Sequence, residues 1–244
     1  MKELKYIISD DIFTQFPGYT RGVVLAYNLN NTGLHEDLRV MLRDAEDSVR
    51  NNLSIENLVE HPRINSWREA FRSFGVKPGK FRSSIEAMTR RVLHGDELPS
   101  INPLVDIGNI LSLRHIVPTG GHGIDDVSDD IYLRHATGDE EFIPFGSDQV
   151  EHPLPGEIIF TEGNTVLTRR WSWRQANHTL TLPATSSIEF NVDGLPPVQV
   201  EEVEMICREL SELIDRFCGG QIKYDILSQQ NPQMTFMKQV QNGE

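Results

Sequence analysis

The chain has 244 residues and a formal net charge of −13, with 23 Lys and Arg against 36 Asp and Glu. Its 38% hydrophobic content is that of a globular protein, and it has no run of about 18 apolar residues that would form a membrane-spanning helix. The acidic balance argues against a DNA-binding or general RNA-binding protein, which would be basic. The N-terminus lacks the apolar core of a signal peptide, so we expect a cytoplasmic protein with no membrane partner.

The first part of the chain predicts strands and then helices. Apolar periodicity predicts two strands followed by three helices, over residues 4–9, 21–29, 34–53, 64–75 and 79–95. In the second helix, Ser66 is the expected N-cap, with Glu69 three residues later and Gly75 at the C-terminus.

A fourth helix is predicted within the segment LPSINPLVDIGNILSLRHIVPTGGH, residues 98–122. Asp106 and Asn109 lie inside its apolar run, where a carboxylate or amide is unfavourable unless it is hydrogen-bonded. They either brace a neighbouring backbone or contact a substrate, and we favour bracing.

A glycine pair follows this helix. Gly120 and Gly121, after Pro118, would let a ligand approach exposed backbone N–H groups closely. His122 either orients a water or contacts a sugar hydroxyl, or it is a solvated turn residue.

The second half of the chain predicts short strands. Short apolar or alternating cores bounded by turn residues lie at 130–136, 140–146, 156–163, 165–171 and 186–195. An amphipathic helix over 200–218 ends at Gly219 and Gly220, residues 221–227 add a strand, and a loose tail is expected from residue 228. This order predicts an α+β fold: a mostly antiparallel or mixed sheet, or a partial barrel, packed with helices.

The segment TRRWSWRQANHT combines aromatic and basic residues. If it is a strand, Trp171 and Trp173 share one face, and Arg170 and Arg174 share the other. Such a surface suits stacking on bases or sugars with phosphate contacts. The alternative, which we favour for the tryptophans, is a core strand with a snorkelling outer face.

Established catalytic patterns are missing from the chain. There is no phosphate-binding loop, no His-Glu-x-x-His, no zinc-spaced cysteine pair and no Gly-x-Ser-x-Gly. The histidines show no ligand spacing on one helix face, so we expect neither a metal nor another cofactor. Cys207 and Cys218 are predicted to be buried, reduced thiols.

The segments LPSINPLVDIGNILSLRHIVPTGG, GDEEF, GEIIF, TRRWSWRQ and FCGG resemble, in order and spacing, the B3/B4 domain. This is the editing domain of the bacterial phenylalanyl-tRNA synthetase beta subunit, and the chain is more similar still to free-standing proteins made of that domain. The resemblance covers about Ser66 to Gly220. It implies an α+β fold with a pocket between helices and a strand layer. It also implies hydrolysis of the ester that joins a wrong amino acid to the terminal adenosine of tRNA, in some members in trans, as in a canavanyl-tRNA(Arg) deacylase.

The resemblance carries over a set of pocket positions: Asn102, Asp106, Asn109, Pro118 and Gly120. The first three are implied as pocket architecture rather than as catalysts. The chain departs from the synthetase pattern at Gly120, where a histidine is usual. It also lacks the glutamate expected near residues 173–176, so clearance of tyrosine is not expected.

The predicted site has three parts. The catalytic part is Gly120, Gly121 and His122, where backbone donors would stabilise an oxyanion beside a positioned water. The substrate pocket comprises Asn102, Asp106, Asn109, Pro118, Glu157, Trp173 and Gln175. Contacts to tRNA are expected from Arg82, Arg90, Arg91, Arg169, Arg170 and Arg174, which lie in acid-poor stretches.

We divide the chain into N-terminal strands and a helix packed on the core (1–65), a B3/B4-like editing domain (66–227) and a flexible tail (228–244). The expected function is deacylation, in trans, of a mischarged tRNA. Canavanyl-tRNA(Arg) is one candidate substrate. The alternatives are a tRNA- or RNA-binding module without hydrolysis and a protein that binds an amino-acid-like small molecule. The amino acid, the tRNA and the oligomeric state stay open at this point.

Overall fold

The computed structural model describes residues 2–238, which form two β-sheets and six α-helices. The helices are α1 (Asp10–Gln15), α2 (Glu36–Asn52), α3 (Pro62–Ser73), α4 (Ser84–Leu93), α5 (Pro103–His115) and α6 (Val200–Cys218). The strands are β1 (Lys2–Ile8), β2 (Thr20–Tyr27), β3 (Thr119–Gly123), β4 (Ile131–His135), β5 (Ile158–Glu162), β6 (Thr165–Arg169), β7 (Arg174–Gln175), β8 (Ser187–Gly194), β9 (Gln221–Leu227) and β10 (Gln233–Lys238). None of the helices in this part of the chain is long and apolar enough to cross a membrane.

The six-stranded sheet has the order β10-β1-β4-β5-β6-β7, and its strands are antiparallel except for the parallel pair β1 and β4. The four-stranded sheet has the order β3-β8-β2-β9 and is antiparallel throughout. Neither sheet closes into a barrel within the described residues. The predicted α+β class with mixed and antiparallel sheets is confirmed.

The four-stranded sheet forms the middle layer of the protein. One face carries Ile188, Phe190 and Val192 of β8, which pack in a core with α2, α5 and α6. The opposite face contributes Val23 of β2 to a second core, which includes Phe160 of the six-stranded sheet. Because side chains alternate along a strand, the polar residues of β8 point toward the six-stranded sheet. They are therefore enclosed between two sheets rather than exposed to water.

The start of α3 differs from its predicted start. The helix begins at Pro62 with His61 as its N-cap residue, so the prediction of Ser66 as N-cap is wrong. Proline suits the first helical position because the N–H that it lacks would have no partner there. Ser66 lies inside the helix, and its hydroxyl donates to the carbonyl of Pro196.

Helix α4 is shorter than predicted. It begins at Ser84, where the hydroxyl of Ser83 accepts a hydrogen bond from the N–H of Glu86 (3.4 Å). The preceding residues of the predicted helix 79–95 form turns instead. The final helix over 200–218 agrees with its predicted bounds, and both cysteines are buried and free.

One predicted strand is absent from the described structure, and another, predicted at 165–171, is shorter and ends at Arg169. Residues 140–146 form only isolated bridges. The segment TRRWSWRQ is not one strand, because β6 ends at Arg169 and the next two residues have positive φ angles, 48° at Arg170 and 62° at Trp171. The predicted alternation of tryptophans and arginines is therefore wrong.

The two ends of the described chain meet in the six-stranded sheet. Residues 233–238 form β10 and pair with β1, so the prediction of a loose tail is wrong for them; residues 239–244 lie outside the described residues. Met234 and Phe236 are buried in the core, an alternation that the polar neighbours obscure in the sequence. Since β1 and β2 are strands of different sheets, the first 65 residues contribute to both. The domain boundary at residue 65 stays a prediction.

Candidate functional site

A cavity of about 220 Å³ lies between β3 of the middle sheet and the turn that joins β6 to β7. Its walls include the chain from Pro118 to His122, the chain from Trp171 to Gln175, and Phe160, Thr168, Asn191 and Asp193. The structure thus brings together the two sequence segments on which the predicted site was based. The predicted residues at this cavity are Pro118, Gly120, Gly121, His122, Trp173, Arg174 and Gln175.

The two glycines lie in a strand, not in the open turn that the sequence indicated. Gly120 pairs with Asn191 of β8, and Gly121 pairs with Phe190. Because the N–H of Asp193 donates to Pro118 O (3.0 Å), Gly120 belongs to a hydrogen-bonded pair and Gly121 to a non-hydrogen-bonded pair. The prediction that both glycines expose their N–H groups is wrong: only that of Gly121 points away from β8.

Gln175 holds the free edge of β3. Its side-chain amide donates to Gly121 O (3.1 Å) and to Thr179 O (2.8 Å). The N–H of Gly123 donates to the same Thr179 carbonyl oxygen (3.0 Å). Gln175 therefore fixes the distance between β3 and the opposite wall of the cavity.

The glycines differ in what surrounds them. A Cβ at Gly120 would come no closer than 3.9 Å to another atom, Asn191 Oδ1, so this position is open toward the cavity. A Cβ at Gly121 would lie 2.7 Å from the Ile188 side chain and 3.0 Å from Glu189 O. Gly120 leaves space for a ligand, whereas Gly121 lets β3 pack against its neighbour.

His122 is a buried member of a hydrogen-bond network. Its Nδ1 lies 3.0 Å from Glu189 Oε2, and its Nε2 lies 2.9 Å from Thr168 Oγ1. A neutral imidazole satisfies both contacts by donating to the carboxylate and accepting from the hydroxyl. Because both nitrogens are engaged, His122 links the two sheets rather than offering a free nitrogen to a water.

The network continues to a buried arginine. Arg21 is fully buried; its Nη1 lies 2.7 Å from Asp193 Oδ1, and its Nη2 lies 3.8 Å from Glu189 Oε1. Tyr19 donates to the same Asp193 oxygen (2.5 Å). Burial raises the pKa of Asp193 despite the neighbouring guanidinium. Burial also raises the pKa of Tyr19 well above its usual value, and this keeps the phenol neutral.

The turn opposite β3 is strained and tightly held. Consecutive positive φ angles at Arg170 and Trp171 cost about 1–3 kcal/mol each and persist only where the surroundings enforce them. The Arg170 guanidinium stacks 3.8 Å from the ring centre of Phe81 and 4.3 Å from that of Trp173. The Trp171 ring makes edge contacts with Phe16, Tyr19 and Trp67, at centroid distances of 4.8, 4.8 and 5.0 Å.

The α5 residues of the predicted pocket lie away from the cavity. The helix packs on the other face of the middle sheet, so the expected pocket between helices and a strand layer is instead a cavity between two sheets. Asn102 is the N-cap of α5 and accepts from Val105 N (3.1 Å). Asp106 accepts from Ile101 N (2.9 Å) and from the hydroxyl of Ser100, so it acts as a brace. Asn109 is half-buried on the same helix.

Glu157 is also outside the cavity. Both of its oxygens accept from Arg169, at 2.8 and 2.9 Å, and Arg170 lies 3.4 Å from one of them. A third nitrogen of Arg169 binds Glu151 (2.9 Å). Because these side chains are buried and paired with one another, Glu157 is not available to a cationic substrate, and Arg169 and Arg170 are not available to phosphate.

The other predicted tRNA contacts are more accessible. Arg82 and Arg91 are exposed, and Arg174 is half-buried at the cavity with its Nη2 3.3 Å from Phe145 O. Arg90 is instead bound to Glu86 (2.9 Å), which fixes α4. Within residues 2–238, no group of three or more His, Cys, Asp or Glu side chains is arranged to hold a metal ion.

The polar face of β8 was not predicted from the sequence. Glu189, Asn191 and Asp193 alternate with apolar residues, a pattern typical of a strand with one solvated face. All eight residues of β8 are buried, however. The pairing of Arg21 with Asp193 across β2 and β8 is a long-range contact, and the sequence signals it only by a basic residue at the start of a predicted strand.

Comparisons with known proteins gave one family match and similar solved structures. The family model described as "B3/4 domain" matches residues 66–219. One solved structure similar to the chain is an N-terminal fragment of the phenylalanyl-tRNA synthetase beta-subunit from Pyrococcus horikoshii, with 13% sequence identity and a TM-score of 0.44. The alignment covers 88% of this chain and 49% of that one, so the chain spans about half of its length. A search of curated proteins gave no match. Because the family model covers well over half of its residues, the chain belongs to the B3/4 domain family.

Proposed function

We propose that the protein is a cytoplasmic aminoacyl-tRNA deacylase that acts in trans on a mischarged tRNA. The observation that carries the proposal is the cavity beside Gly120, in a member of a family that includes the editing domain of a tRNA synthetase. Cavities of about 150 Å³ hold a benzene molecule, and pockets for drug-sized ligands begin at about 300 Å³. A cavity of about 220 Å³ therefore suits the aminoacyl group of the substrate. The adenosine would lie at the mouth.

The chemistry assigned to the cavity needs few reactive side chains. An aminoacyl ester is already activated, so a positioned water and a donor for the developing oxyanion suffice. The N–H of Gly121 faces the open edge of β3 and is our candidate for this donor. His122 would position β3 through Glu189 and Thr168, and it would not act as a base.

The rim of the cavity offers contacts for the end of a nucleic acid. Phe145 is 63% exposed, its N–H donates to Gln175 O (3.2 Å), and its carbonyl accepts from Arg174. An exposed aromatic ring beside an arginine suits stacking on a base with phosphate contact. We therefore assign the terminal adenosine to Phe145 and Arg174. The exposed Arg82 is proposed as a further contact to the tRNA.

The test is a deacylation screen with a panel of mischarged tRNAs. We expect turnover of at least one of them, and a loss of about 100-fold in kcat/KM for Gly120→Leu, since a displacement of about 1 Å at a reacting centre has this effect. The matched control is Gly79→Leu: Gly79 is exposed and a Cβ there meets nothing within 4 Å. It should retain wild-type turnover.

Other results would assign a different function. Salt-dependent tRNA binding without turnover of any ester would identify an RNA-binding module instead. A thermal shift with a free amino acid and none with tRNA would identify a small-molecule-binding protein. Equal activity of Gly120→Leu and wild type would show that hydrolysis occurs elsewhere.

A further inference from the structure

We infer that the free oxygen of Asp193 binds a positively charged nitrogen of the ligand inside the cavity. This inference rests on the proposed function for the identity of the ligand, an aminoacyl ester. It adds the residue and the charge by which that ligand is recognised.

Asp193 uses only one of its two carboxylate oxygens in hydrogen bonds to the described residues. Its side chain lines the cavity and is 2% exposed. Arg21 Nη1 and the Tyr19 hydroxyl both donate to the same oxygen, Oδ1, at 2.7 and 2.5 Å. Among residues 2–238, no donor binds Oδ2. An oxygen that has no protein donor, on a side chain that lines the cavity, is available to a donor from the ligand.

Acidic side chains outnumber the arginine in the network behind the cavity wall. One guanidinium, that of Arg21, faces two buried carboxylates, Asp193 at 2.7 Å and Glu189 at 3.8 Å. The imidazole of His122 hydrogen-bonds Glu189 and not Asp193, so within the described residues two carboxylates share this one guanidinium. A buried charge without a partner is costly, so this wall of the cavity favours a cation.

Other polar groups line the cavity together with Asp193. Asn191 lies two residues before Asp193 on the same face of β8 and lines the same cavity. Trp171 and Ser172, on the opposite wall, each have a buried polar atom, Nε1 and Oγ, without a hydrogen-bond partner. These groups suit a small polar ligand, and Asp193 is the acidic side chain of a lining that also includes the basic Arg174.

Two parts of an aminoacyl ester supply a cationic nitrogen. One is the α-ammonium group, which every aminoacyl ester carries next to the ester carbonyl. The other is a basic side chain. Both would make a charge-assisted hydrogen bond to Asp193 Oδ2, so the chemistry is shared and the experiment separates the sources.

The experiment measures binding of non-hydrolysable 3′-amide analogues of aminoacyl-adenosine to the full chain by calorimetry. The first analogue has a neutral side chain and an α-amino group. The second has a hydroxyl group in place of the α-amino group, and this change keeps the size of the analogue and removes its charge. The third analogue carries an α-hydroxyl group and a lysine side chain, so its charge lies on the side chain alone. Wild type should bind the α-amino form at least about tenfold more tightly than the α-hydroxy form, equivalent to about 1.4 kcal/mol.

Two variants test the residue. Asp193→Asn should bind the α-amino and α-hydroxy forms with similar affinity. Glu189→Gln is the matched control because it removes the same charge from the same network, yet Glu189 does not line the cavity. Because one carboxylate of the network is lost while Asp193 Oδ2 remains, this variant should keep a weaker preference for the α-amino form, and Asp193→Asn should keep none. If Asp193→Asn does not fold, the comparison of the analogues on wild type remains decisive.

The outcomes are distinct. A preference for the lysine analogue that Asp193→Asn abolishes assigns the cation to the side chain and supports the inference. Equal binding of charged and neutral analogues by wild type, or no binding of any analogue, overturns it. Because binding needs no turnover, amine preference without deacylation of any tRNA would refute the proposed function alone, and deacylation without amine preference would refute this inference alone.

Discussion

Replacing the two adjacent glycines of β3 by alanine should change stability in opposite directions. At Gly120 the backbone is not left-handed and a Cβ meets no atom within 3.9 Å. Alanine there restricts the unfolded chain without strain and should stabilise by about 0.4–1 kcal/mol. At Gly121 the Cβ would lie 2.7 Å from Ile188 and 3.0 Å from a backbone oxygen, and overpacking of this kind costs about 1–3 kcal/mol.

The assay is thermal unfolding of wild type, Gly120→Ala and Gly121→Ala under one set of conditions. For a chain of this size, about 1 kcal/mol corresponds to about 2–4 °C in Tm. We therefore expect a rise of about 1–4 °C for Gly120→Ala and a fall of about 2–12 °C for Gly121→Ala. The same Gly120→Ala protein should lose deacylase activity, since its methyl group points into the cavity. Equal Tm values for the two variants would refute the assigned orientation of β3.

Three further predictions concern hydrogen bonds and ring contacts of individual side chains. His178 donates a hydrogen bond to Glu162 (2.6 Å), and this bond raises the pKa of His178. Burial raises the pKa of Glu162, but the hydrogen bonds from His178 and Ser128 outweigh burial and lower this pKa to about 2. The stabilisation by this pair should be complete between the unfolded pKa values of about 4.5 for Glu162 and 6.5 for His178. It should decline as pH rises through the raised pKa of His178 or falls toward the pKa of Glu162 at about 2. Urea unfolding across pH should show this dependence in wild type and its loss in His178→Gln. Phe145→Ala should raise KM for tRNA about 5- to 150-fold, the equivalent of one lost base stack of about 1–3 kcal/mol, with an unchanged Tm; a KM equal to that of wild type would contradict stacking. Arg170→Ala should destabilise by about 0.5–2 kcal/mol in urea unfolding through the loss of its ring contacts, and a change below 0.3 kcal/mol, about the level of noise, would contradict them.

The sequence predicts the elements whose periodicity is local. Helix α6 has an apolar stripe, an acidic first turn and a glycine stop, and its predicted and observed bounds agree. Asp106 was predicted as a brace because a carboxylate in an apolar run needs donors, and Ile101 N is one. In both cases the decisive interactions lie within a few residues along the chain.

The elements that were mispredicted depend on distant partners. The sequence next to Arg170 and Trp171 does not predict their positive φ angles. The contacts that enforce these angles come from distant residues, namely Phe81, Phe16 and Trp67. Strand β10 likewise owes its order to β1, more than 200 residues earlier by the register that pairs Leu4 with Phe236. Apolar periodicity predicts which face of a helix or strand is apolar, but it does not predict which element will pack against that face.

The polar face of β8 connects stability with recognition. Buried ion pairs are weak contributors to stability, and hydrophobic residues of similar size often replace them without loss. Arg21, Glu189 and Asp193 therefore are not explained by the folding of the two sheets alone, since Val23 and Leu25 fill equivalent positions in the same core. Their location does explain them: the network ends at the cavity, where Asp193 has one oxygen held by protein donors and one free. A wall that is rigid on its protein side and unsatisfied on its ligand side binds a complementary group without first reorganising, and such pre-organisation is what selective binding of a small group requires.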